Sequence, residues 1–468
     1  MILQRVRKPV FIGLLAFTLL AAACAASPQS SPQNSPTAGE LALPASSPSV
    51  RTPATSTQTA EPPATVNPSP SATATEAGTG RFVQFDGRLA EVGFTLPPTI
   101  QHISGSSAWV YFALENPVEG EVFYWEEGKE DLGVHSQEFD AGSGKHLIEL
   151  QELIPDTAYK VRVGLPTEAG TFRTPGLNGD VWGEMTLKTY PLELSHLRVA
   201  VIGDSGFGES ITYALAAQMA AREPDLVIHV GDIVYSVFEN GTPLRAYQAK
   251  YFWPFQKVLL KTPLYAVPGN HEYYADALVG ELPFYFEVFP PLEEFVHDGS
   301  WIGAGRSVRS WFGLRLMGYQ FLLLDSQRFY LPGGAAEETS WLQSNLQAFS
   351  GPTIGVYHIA TYSSGNHESD GLPIQRSWIP DFIEANTAMI LSGHDHNYER
   401  LSIDGIEFVT TGGGSRSLYS LGTPVEGSQV FAAVSHFVIL DIYPDRIELE
   451  SINEFGDVID KTVVDVRR

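Results

Sequence analysis

The chain has 468 residues, with 54 acidic and 29 basic side chains, and its formal net charge is −25 at pH 7. This length exceeds one ordinary domain and is enough for two domains with sizeable cores. An acidic surface repels nucleic acid and anionic membranes, because no basic patch is available to release counterions from a phosphate backbone. A phosphorylated substrate would therefore need a local source of attraction, and metal cations are the obvious one.

The first 24 residues have the pattern of an export signal. Arg5, Arg7 and Lys8 precede an apolar stretch that ends at Leu20, and three alanines then lead to Cys24, the one cysteine of the chain. The apolar stretch is shorter than the roughly 20 residues of a membrane-spanning helix. The sequence from Leu20 to Cys24 resembles a bacterial lipobox, in which the cysteine is diacylated. Ordinary cleavage in the alanine run, with Cys24 incidental, is the alternative.

The signal predicts an exported protein that reaches a membrane only through its lipid anchor, at a bacterial cell surface or in the periplasm. Residues 25–80 consist mainly of Ala, Ser, Pro, Thr, Gln and Glu. Such a segment cannot bury enough apolar surface to offset the entropy lost on ordering, so we predict a disordered tether here.

Residues 82–190 predict an all-β domain, since short alternating runs such as 108–112 and 121–125 are separated by Gly, Pro and Asn. The run 153–163 resembles the fibronectin type III pattern, in which Tyr159 would be a corner tyrosine bound to nearby backbone. Titratable groups with catalytic spacing do not occur in this sequence. We interpret the domain as a sandwich that packs on the second domain, with a carbohydrate- or protein-binding module as the alternative.

The pattern changes at residue 197, where apolar runs begin to alternate with amphipathic stretches. Strands are predicted at 197–202, 226–230, 264–267, 319–324, 353–357, 388–391, 406–410, 437–443 and 447–452, and helices at 209–222, 243–260 and 337–349. Several strands end in loops that carry Asp, Asn or His. Open α/β folds place their ligands at the carboxyl ends of parallel strands, so residues 195–468 predict an α/β domain with a site at that edge.

Five of these loops carry metal-binding side chains. Carboxylate, imidazole, amide and phenolate groups together suit a pair of hard or borderline cations better than a thiolate zinc site. A central carboxylate can bridge two ions about 3.5–4 Å apart, and the adjacent glycines allow sharp turns and close approach. One Gly-Asp after a strand is usually only a turn, so the prediction depends on the ordered set. Its members are Asp204, Asp232, Tyr235, Asn270, His271, His358, His394 and His396.

These motifs match, in order, the signature of the purple acid phosphatases within the calcineurin-like metallophosphoesterases. The matching segments are Gly-Asp-Ser-Gly at 203–206, Gly-Asp-Ile-Val-Tyr at 231–235, Gly-Asn-His-Glu at 269–272, His358, and Gly-His-Asp-His at 393–396. Tyr235 is the discriminating residue, since a tyrosine here binds ferric iron in that family. Residues 82–190 resemble the N-terminal domain of plant-type members. The resemblance implies a four-layer α-β-β-α sandwich preceded by a fibronectin type III-like sandwich.

The resemblance also implies a centre of iron(III) and a divalent metal, which would be iron, zinc or manganese. The implied ligands are Asp204, Tyr235 and His396 for iron(III), Asn270, His358 and His394 for the divalent metal, and Asp232 as the bridge. His271 matches a histidine that contacts substrate phosphate. His367 lies where plant-type enzymes have a histidine near the leaving group, although a solvent-exposed loop histidine is the alternative. Glu399 and Arg400, which follow the last motif, are interpreted as an internal ion pair, and His229 as a hydrogen-bonded core residue.

The predicted reaction is hydrolysis of phosphate monoesters of the acid phosphatase type, by a metal-bound hydroxide. In this prediction His271 and the metals offset charge on the phosphoryl oxygens, and His367 protonates the leaving group. A phosphodiesterase or nucleotide pyrophosphatase with the same metals is an alternative, since ester preference lies in the loops at 273–310 and 360–378. A non-enzymatic surface binding lipoprotein is the third hypothesis. The predicted partner is a small phosphorylated substrate, and the oligomeric state stays open.

Overall fold

The computed structural model describes residues 83–274, 282–290, 301–302 and 310–466. The predicted export signal, Cys24 and the predicted tether lie outside the described residues. Within the described ranges, none of the helices combines the length and apolar character needed to cross a bilayer.

The regular elements described up to residue 188 are β-strands, apart from a 3₁₀ turn at Glu130–Leu132. The strands are β1 (Phe85–Leu89), β2 (Phe94–Ile103), β3 (Ala108–Leu114), β4 (Gly120–Glu126), β5 (His135–Phe139), β6 (Lys145–Leu150), β7 (Ala158–Pro166), β8 (Phe172–Thr174), β9 (Gly176–Leu177), β10 (Asp180–Val181) and β11 (Met185–Lys188). One sheet has the order β1-β8-β7-β4-β5, with β11 paired to β7, and a second has the order β2-β3-β6.

Apolar residues of both sheets form one hydrophobic core, which includes Phe112 on β3 and Val161 on β7. The prediction of an all-β region is therefore confirmed. The hydroxyl of Tyr159 accepts a hydrogen bond from the backbone N–H of Ile154 at 2.9 Å, which confirms the predicted contact of this hydroxyl with nearby backbone. Assignment of this region to the fibronectin type III class stays a prediction.

The rest of the chain is mixed α/β, as predicted. Its strands are β12 (Leu197–Ile202), β13 (Leu226–His229), β14 (Leu264–Ala266), β15 (Trp301–Ile302), β16 (Phe312–Leu316), β17 (Tyr319–Leu323), β18 (Thr353–Ile359), β19 (Met389–Gly393), β20 (Tyr398–Ile403), β21 (Ile406–Thr411), β22 (Ser428–Ala432), β23 (His436–Tyr443), β24 (Arg446–Asn453) and β25 (Val458–Asp465). Its helices are α1 (Ser210–Ala220), α2 (Pro243–Tyr247), α3 (Trp253–Leu259), α4 (Asn270–Tyr274), α5 (Pro283–Val288), α6 (Ala336–Ala348), α7 (Leu372–Ser377) and α8 (Ile379–Glu384).

These strands build two sheets. One has the order β14-β13-β12-β23-β24-β25, and the other β15-β16-β17-β18-β19-β21-β20-β22. The strands β12, β13 and β14 are parallel to one another, as are β17, β18, β19 and β21. Such strands are buried on both faces, which explains the continuous apolar runs in the sequence.

Three apolar clusters hold the α/β region together. One contains residues of both sheets, such as Val201 on β12 and Val356 on β18. The cluster shared with the N-terminal region includes Leu215 on α1, and a third joins Leu342 on α6 to the second sheet. Burial of apolar side chains at roughly 25 cal/mol per Å² is the main stabilising contribution in such clusters.

The N-terminal region packs against the α/β region, as the sequence analysis predicted. The Nε2 of Gln248 donates to the backbone oxygen of Thr95 at 2.8 Å, and the Trp182 ring lies edge-on to Phe252 with centroids 6.0 Å apart. Because both regions contribute to one apolar cluster, the contact extends beyond a few polar bonds.

Candidate metal centre

Asp204, Tyr235 and His396 come together at the ends of β12, β13 and β19. The Tyr235 hydroxyl lies 3.2 Å from Oδ1 of Asp204 and 3.0 Å from Nε2 of His396, and those two atoms are 3.4 Å apart. All three side chains are almost fully buried. These are the residues that the sequence analysis assigned to iron(III), and we call them the first triad.

Asn270, His358 and His394 form a second triad. Oδ1 of Asn270 lies 3.0 Å from Nε2 of His358 and 3.1 Å from Nδ1 of His394. Asn270 begins α4, His394 follows β19, and His358 lies within the last residues of β18 rather than after the strand. These are the residues assigned to the divalent metal.

The Asp232 carboxylate lies close to a ligand of each triad. Its Oδ2 is 3.5 Å from Nε2 of His358, and ligand atoms of Asp204, Asp232 and His358 all lie within 4.8 Å of one another. The carboxylate is 2% exposed, and Oδ1 accepts the backbone N–H of His271 at 2.9 Å. The structure therefore brings all seven predicted ligands together, with Asp232 where a bridging carboxylate would be needed.

Second hydrogen bonds fix the direction of each imidazole. His358 Nδ1 lies 2.8 Å from the oxygen of Val230, and His396 Nδ1 lies 2.6 Å from the oxygen of Ser417. A carbonyl oxygen only accepts, so each Nδ1 carries the hydrogen and each Nε2 directs a lone pair into its triad. His394 is oriented the other way, since its Nε2 lies 3.0 Å from the Asp370 carboxylate and its Nδ1 faces Asn270.

The donor set fits a pair of cations. In each triad an imidazole lone pair meets oxygen atoms at about hydrogen-bond distance, so a proton or a metal ion must lie between them. Burial disfavours a charged imidazole, but Asp232 and Asp204 outweigh it and raise the pKa of His358 to about 10. A proton therefore takes the place of the cation in the metal-free chain, and metal binding must displace it.

Tyr235 is enclosed by three side chains. The Phe207 ring stacks on it with centroids 4.3 Å apart, and the His271 ring meets it edge-on at 4.2 Å. The ammonium of Lys250, in a π-helical turn between α2 and α3, donates to the backbone oxygen of Tyr235 at 2.7 Å. Burial and the charge of Asp204 raise the pKa of the phenol, so only a strongly polarising cation would deprotonate it in acid.

The sharp turns at the site occur at the ligands themselves. Asp204, Asp232 and His394 have φ values of 58°, 55° and 68°, in the left-handed region that non-glycine residues rarely adopt. Strain of this kind persists where surrounding structure over-determines the backbone. Gly269, before Asn270, instead allows the backbone to lie close to the Asp232 carboxylate, because a Cβ at this position would lie 2.1 Å from Oδ1 of Asp232. The expectation that glycines make the turns was thus only partly correct.

The two predicted substrate-contacting histidines lie at the edge of the centre. His271 Nε2 is 3.9 Å from Oδ2 of Asp232, and its side chain is 35% exposed. The His367 ring lies 4.1 Å from the ring of His394, and its Nδ1 is 3.0 Å from Oδ2 of Asp370. Asp370 therefore links His367 to the second triad, which the sequence analysis did not anticipate.

Buried carboxylates hold the loops of the site, and two of them escaped the sequence analysis. Glu272 accepts the backbone N–H groups of Asp232 and of three further residues, at 2.7–3.2 Å. Asp395 accepts the backbone N–H of His367 at 3.0 Å. Both lie inside the motifs that carry the ligands, at 269–272 and 393–396.

The predicted pair of Glu399 with Arg400 is wrong. Arg400 binds Asp460 at 2.6 Å, whereas Glu399 is fully buried and accepts the backbone N–H of Ser364 at 2.8 Å. Successive residues of a strand point to opposite faces, so the two side chains diverge. The interpretation of His229 is confirmed, since it is fully buried with Nε2 2.8 Å from the Ser205 hydroxyl.

Comparisons with known proteins agree with this geometry. Residues 197–398 match the family model for calcineurin-like phosphoesterases. Purple acid phosphatase 22 of Arabidopsis thaliana is 24% identical over 271 residues, which cover 55% of this chain and 54% of that protein. The chain thus spans about half the length of this curated relative.

Two solved structures share the fold. A purple acid phosphatase, PPD1, from yellow lupin (Lupinus luteus) seeds superposes with a TM-score of 0.60 at 18% identity, over 79% of this chain and 74% of its own. A structure of PhoD superposes with a TM-score of 0.56 at 14% identity, over 79% of this chain and 92% of its own. At these identities the likeness shows the fold alone.

Proposed function

We propose that this chain, which carries a calcineurin-like metallophosphoesterase domain at residues 197–398, hydrolyses phosphate monoesters at a dinuclear centre of the acid phosphatase type. The observation that carries the proposal is the pair of ligand triads, one of which contains the Tyr235 hydroxyl 3.2 Å from Asp204. The tyrosine favours iron(III) on the first triad, and the neutral triad of amide and imidazoles suits divalent iron, zinc or manganese.

The three apolar clusters support a four-layer α-β-β-α arrangement for the catalytic domain, which we include in the proposal. The sequence pattern supports export and lipid anchoring at Cys24, with 25–80 as a tether. The substrate class that fits is a small phosphorylated molecule, because the net charge of −25 disfavours a nucleic-acid partner.

Each residue of the site has a defined task in this reaction. When bound, the metals would polarise the phosphate oxygens and lower the pKa of water enough to supply a nucleophile in acid. His271 lies at the exposed edge, where its Nε2 can donate to a phosphoryl oxygen. Asp370 accepts from Nδ1 of His367, so Nε2 is the nitrogen that remains to deliver a proton to the departing alkoxide.

The direct test is hydrolysis of p-nitrophenyl phosphate at acid pH before and after metal stripping. Turnover should disappear with the metals and return when iron and a divalent metal are restored. Turnover of bis(p-nitrophenyl) phosphate without turnover of the monoester would assign the chain to the diesterases. Inactivity of the fully metallated protein on both esters would contradict a hydrolase and favour the binding lipoprotein.

Tyr235→Phe tests the assignment of iron(III). The variant should lose the visible absorption band of an iron(III)–phenolate bond, since the phenolate oxygen is the donor to the metal. Metal analysis should show the second metal retained, because the second triad does not contain Tyr235. Tyr213→Phe, at a half-exposed position on α1, is the control. An unchanged band in Tyr235→Phe would remove Tyr235 from the ligand set.

His367→Ala tests the general acid through its dependence on the leaving group. Alkyl phosphates have poor leaving groups, so their kcat should fall by about 10²-fold or more, the usual contribution of a general acid. p-Nitrophenyl phosphate needs little protonation and should lose much less. His135→Ala, an exposed histidine on β5, is the control. Equal losses on both substrates would show that His367 only supports the loop.

A further inference from the structure

Two buried carboxyl groups outside the metal centre have no task in the reaction described above. Asp325 and Glu338 are 0% and 1% exposed, and Oε1 of Glu338 accepts the backbone N–H of Asp325 at 2.6 Å. Asp325 follows β17, which pairs in parallel with β18, the strand that carries His358. The pair therefore lies at the same edge of the sheet as the ligands.

Asp325 connects this strand end to helix α4. Its Oδ2 accepts short hydrogen bonds from the hydroxyls of Tyr273 and Ser310, and its Oδ1 accepts the backbone N–H of Gln327 at 3.2 Å. Tyr273 belongs to α4 (Asn270–Tyr274), which supplies a ligand of the second triad and the substrate-contacting histidine. A five-residue helix has little stability of its own, so its position depends on tertiary contacts such as this one.

Glu338 is placed where a second negative charge is unfavourable. Its Oε2 is fully buried and has no hydrogen-bond partner among the described residues. An ionised carboxylate with an unpaired buried oxygen is costly, so the group is favoured as a neutral acid. Burial, followed by the charge of Asp325, raises the pKa of Glu338 well above its usual value.

Burial also raises the pKa of Asp325 to about 6, although several groups around the pair oppose that increase. The hydroxyls of Ser310 and Tyr273 and the guanidinium of Arg328 each favour the ionised form of Asp325. Arg328 favours the ionised form of Glu338 as well. Even so, burial dominates at both positions, and two like charges in one buried site would repel each other.

We propose that the buried carboxyl groups of Asp325 and Glu338 position α4 through Tyr273 and must retain at least one proton between them to do so. The pair carries at most one negative charge while the site is assembled. Ionisation of both carboxyl groups places two like charges in one buried site and loosens the attachment of α4, and with it Asn270. Asp325 and Glu338 are positioning residues and touch no reacting atom. Only the effect of this pair on turnover rests on the proposed function.

The direction in which stability changes with pH follows from the raised pKa values of Asp325 and Glu338. Unfolded carboxyl groups titrate near pH 4, so the folded state binds more protons than the unfolded state above that pH. The stabilisation from the pair is therefore complete below about pH 4 and is lost as the pH rises through about 6 and beyond. A site of this kind is suited to acid conditions.

Glu338→Gln in the full, metal-free chain tests whether Glu338 acts as a neutral acid. Glutamine has the shape of the neutral acid and cannot ionise, so its Tm should match wild type near pH 4 and exceed it by about 3 °C near pH 8. Glu337→Gln, at the exposed neighbouring position on α6, should follow wild type at every pH. Curves for Glu338→Gln and wild type that stay parallel from pH 4 to pH 8 would overturn the proposal.

Tyr273→Phe tests the connection to the metal centre. Removing the hydroxyl should weaken zinc binding by about tenfold at acid pH, the effect of losing a group that orients a ligand. Zinc affinity of wild type and of Glu338→Gln should match near pH 5, and above pH 7 wild type should bind zinc progressively more weakly than Glu338→Gln does. Unchanged zinc affinity in a folded Tyr273→Phe protein would overturn the positioning role. Neither Tm nor zinc affinity depends on turnover. If the protein proved inactive, the proposed function would be refuted, and these two measurements would still test the role of Asp325 and Glu338.

Discussion

Replacing Asp232 with alanine is expected to abolish turnover and to release metal from the centre at the same time. Oδ2 of Asp232 faces the second triad at 3.5 Å from His358, and its carboxylate also lies within 4.8 Å of the Asp204 ligand atom. A single negative group shared by two cations lowers the repulsion between them, so its loss weakens both sites. We expect kcat/KM to fall by at least about 10⁴-fold, or about 5 kcal/mol of transition-state stabilisation.

The measurement is metal content by elemental analysis, made beside turnover of p-nitrophenyl phosphate. Asp232→Asn keeps the shape of the side chain and removes the charge, so it separates charge from packing. Asp180→Ala, an exposed position on β10, is the control and should match wild type in both measurements. Loss of one metal alone would make Asp232 a ligand of that metal only. Normal metal content and normal turnover would show that the bridging assignment is wrong.

Much of the α/β region could be predicted because its strands are continuous apolar runs. The strand at 197–202 was predicted with the bounds that β12 has, since all but one of its residues are buried. The predicted helix at 243–260 proved to be α2 and α3 joined by the π-helical turn Gln248–Phe252. A π-turn does not alter the hydrophobic period enough to be seen in a short stretch, so the sequence could not reveal it.

The predicted ligand set was recognisable because four of its members follow a glycine near the end of an apolar run, namely Asp204, Asp232, Asn270 and His394. Carboxylates that support those ligands gave a weaker signal, since a buried acid looks like a surface acid in the sequence. Glu399 and its partner Ser364 are 35 positions apart, and Asp325 and Tyr273 are 52 apart. Such pairs become visible only when the sheet order brings the strand ends together. Asp325 did carry a signal, because it directly follows the predicted strand 319–324.

Glu272→Ala should strongly destabilise the protein, although Glu272 is not among the predicted metal ligands. The carboxylate is 4% exposed and accepts four backbone N–H groups, two on each oxygen, from the loop of Asp232 and from Gly269. Removing it leaves four buried donors without partners, at about 1–3 kcal/mol for each. We expect the free energy of unfolding to fall by more than about 4 kcal/mol, with loss of metal from the centre.

Glu272→Gln distinguishes this role from a purely electrostatic one. Glutamine has one acceptor oxygen, and in either orientation its NH₂ group would face two backbone N–H donors. We therefore expect Glu272→Gln to lower the free energy of unfolding nearly as much as Glu272→Ala does. The control is Glu368→Gln, at an exposed position near His367, which should leave the free energy of unfolding unchanged. Urea denaturation of the metal-free proteins measures the difference without contribution from bound metal. A Glu272→Gln protein as stable as wild type would show that the backbone donors do not depend on both oxygens, and the turn at Asp232 would then be held by its other contacts.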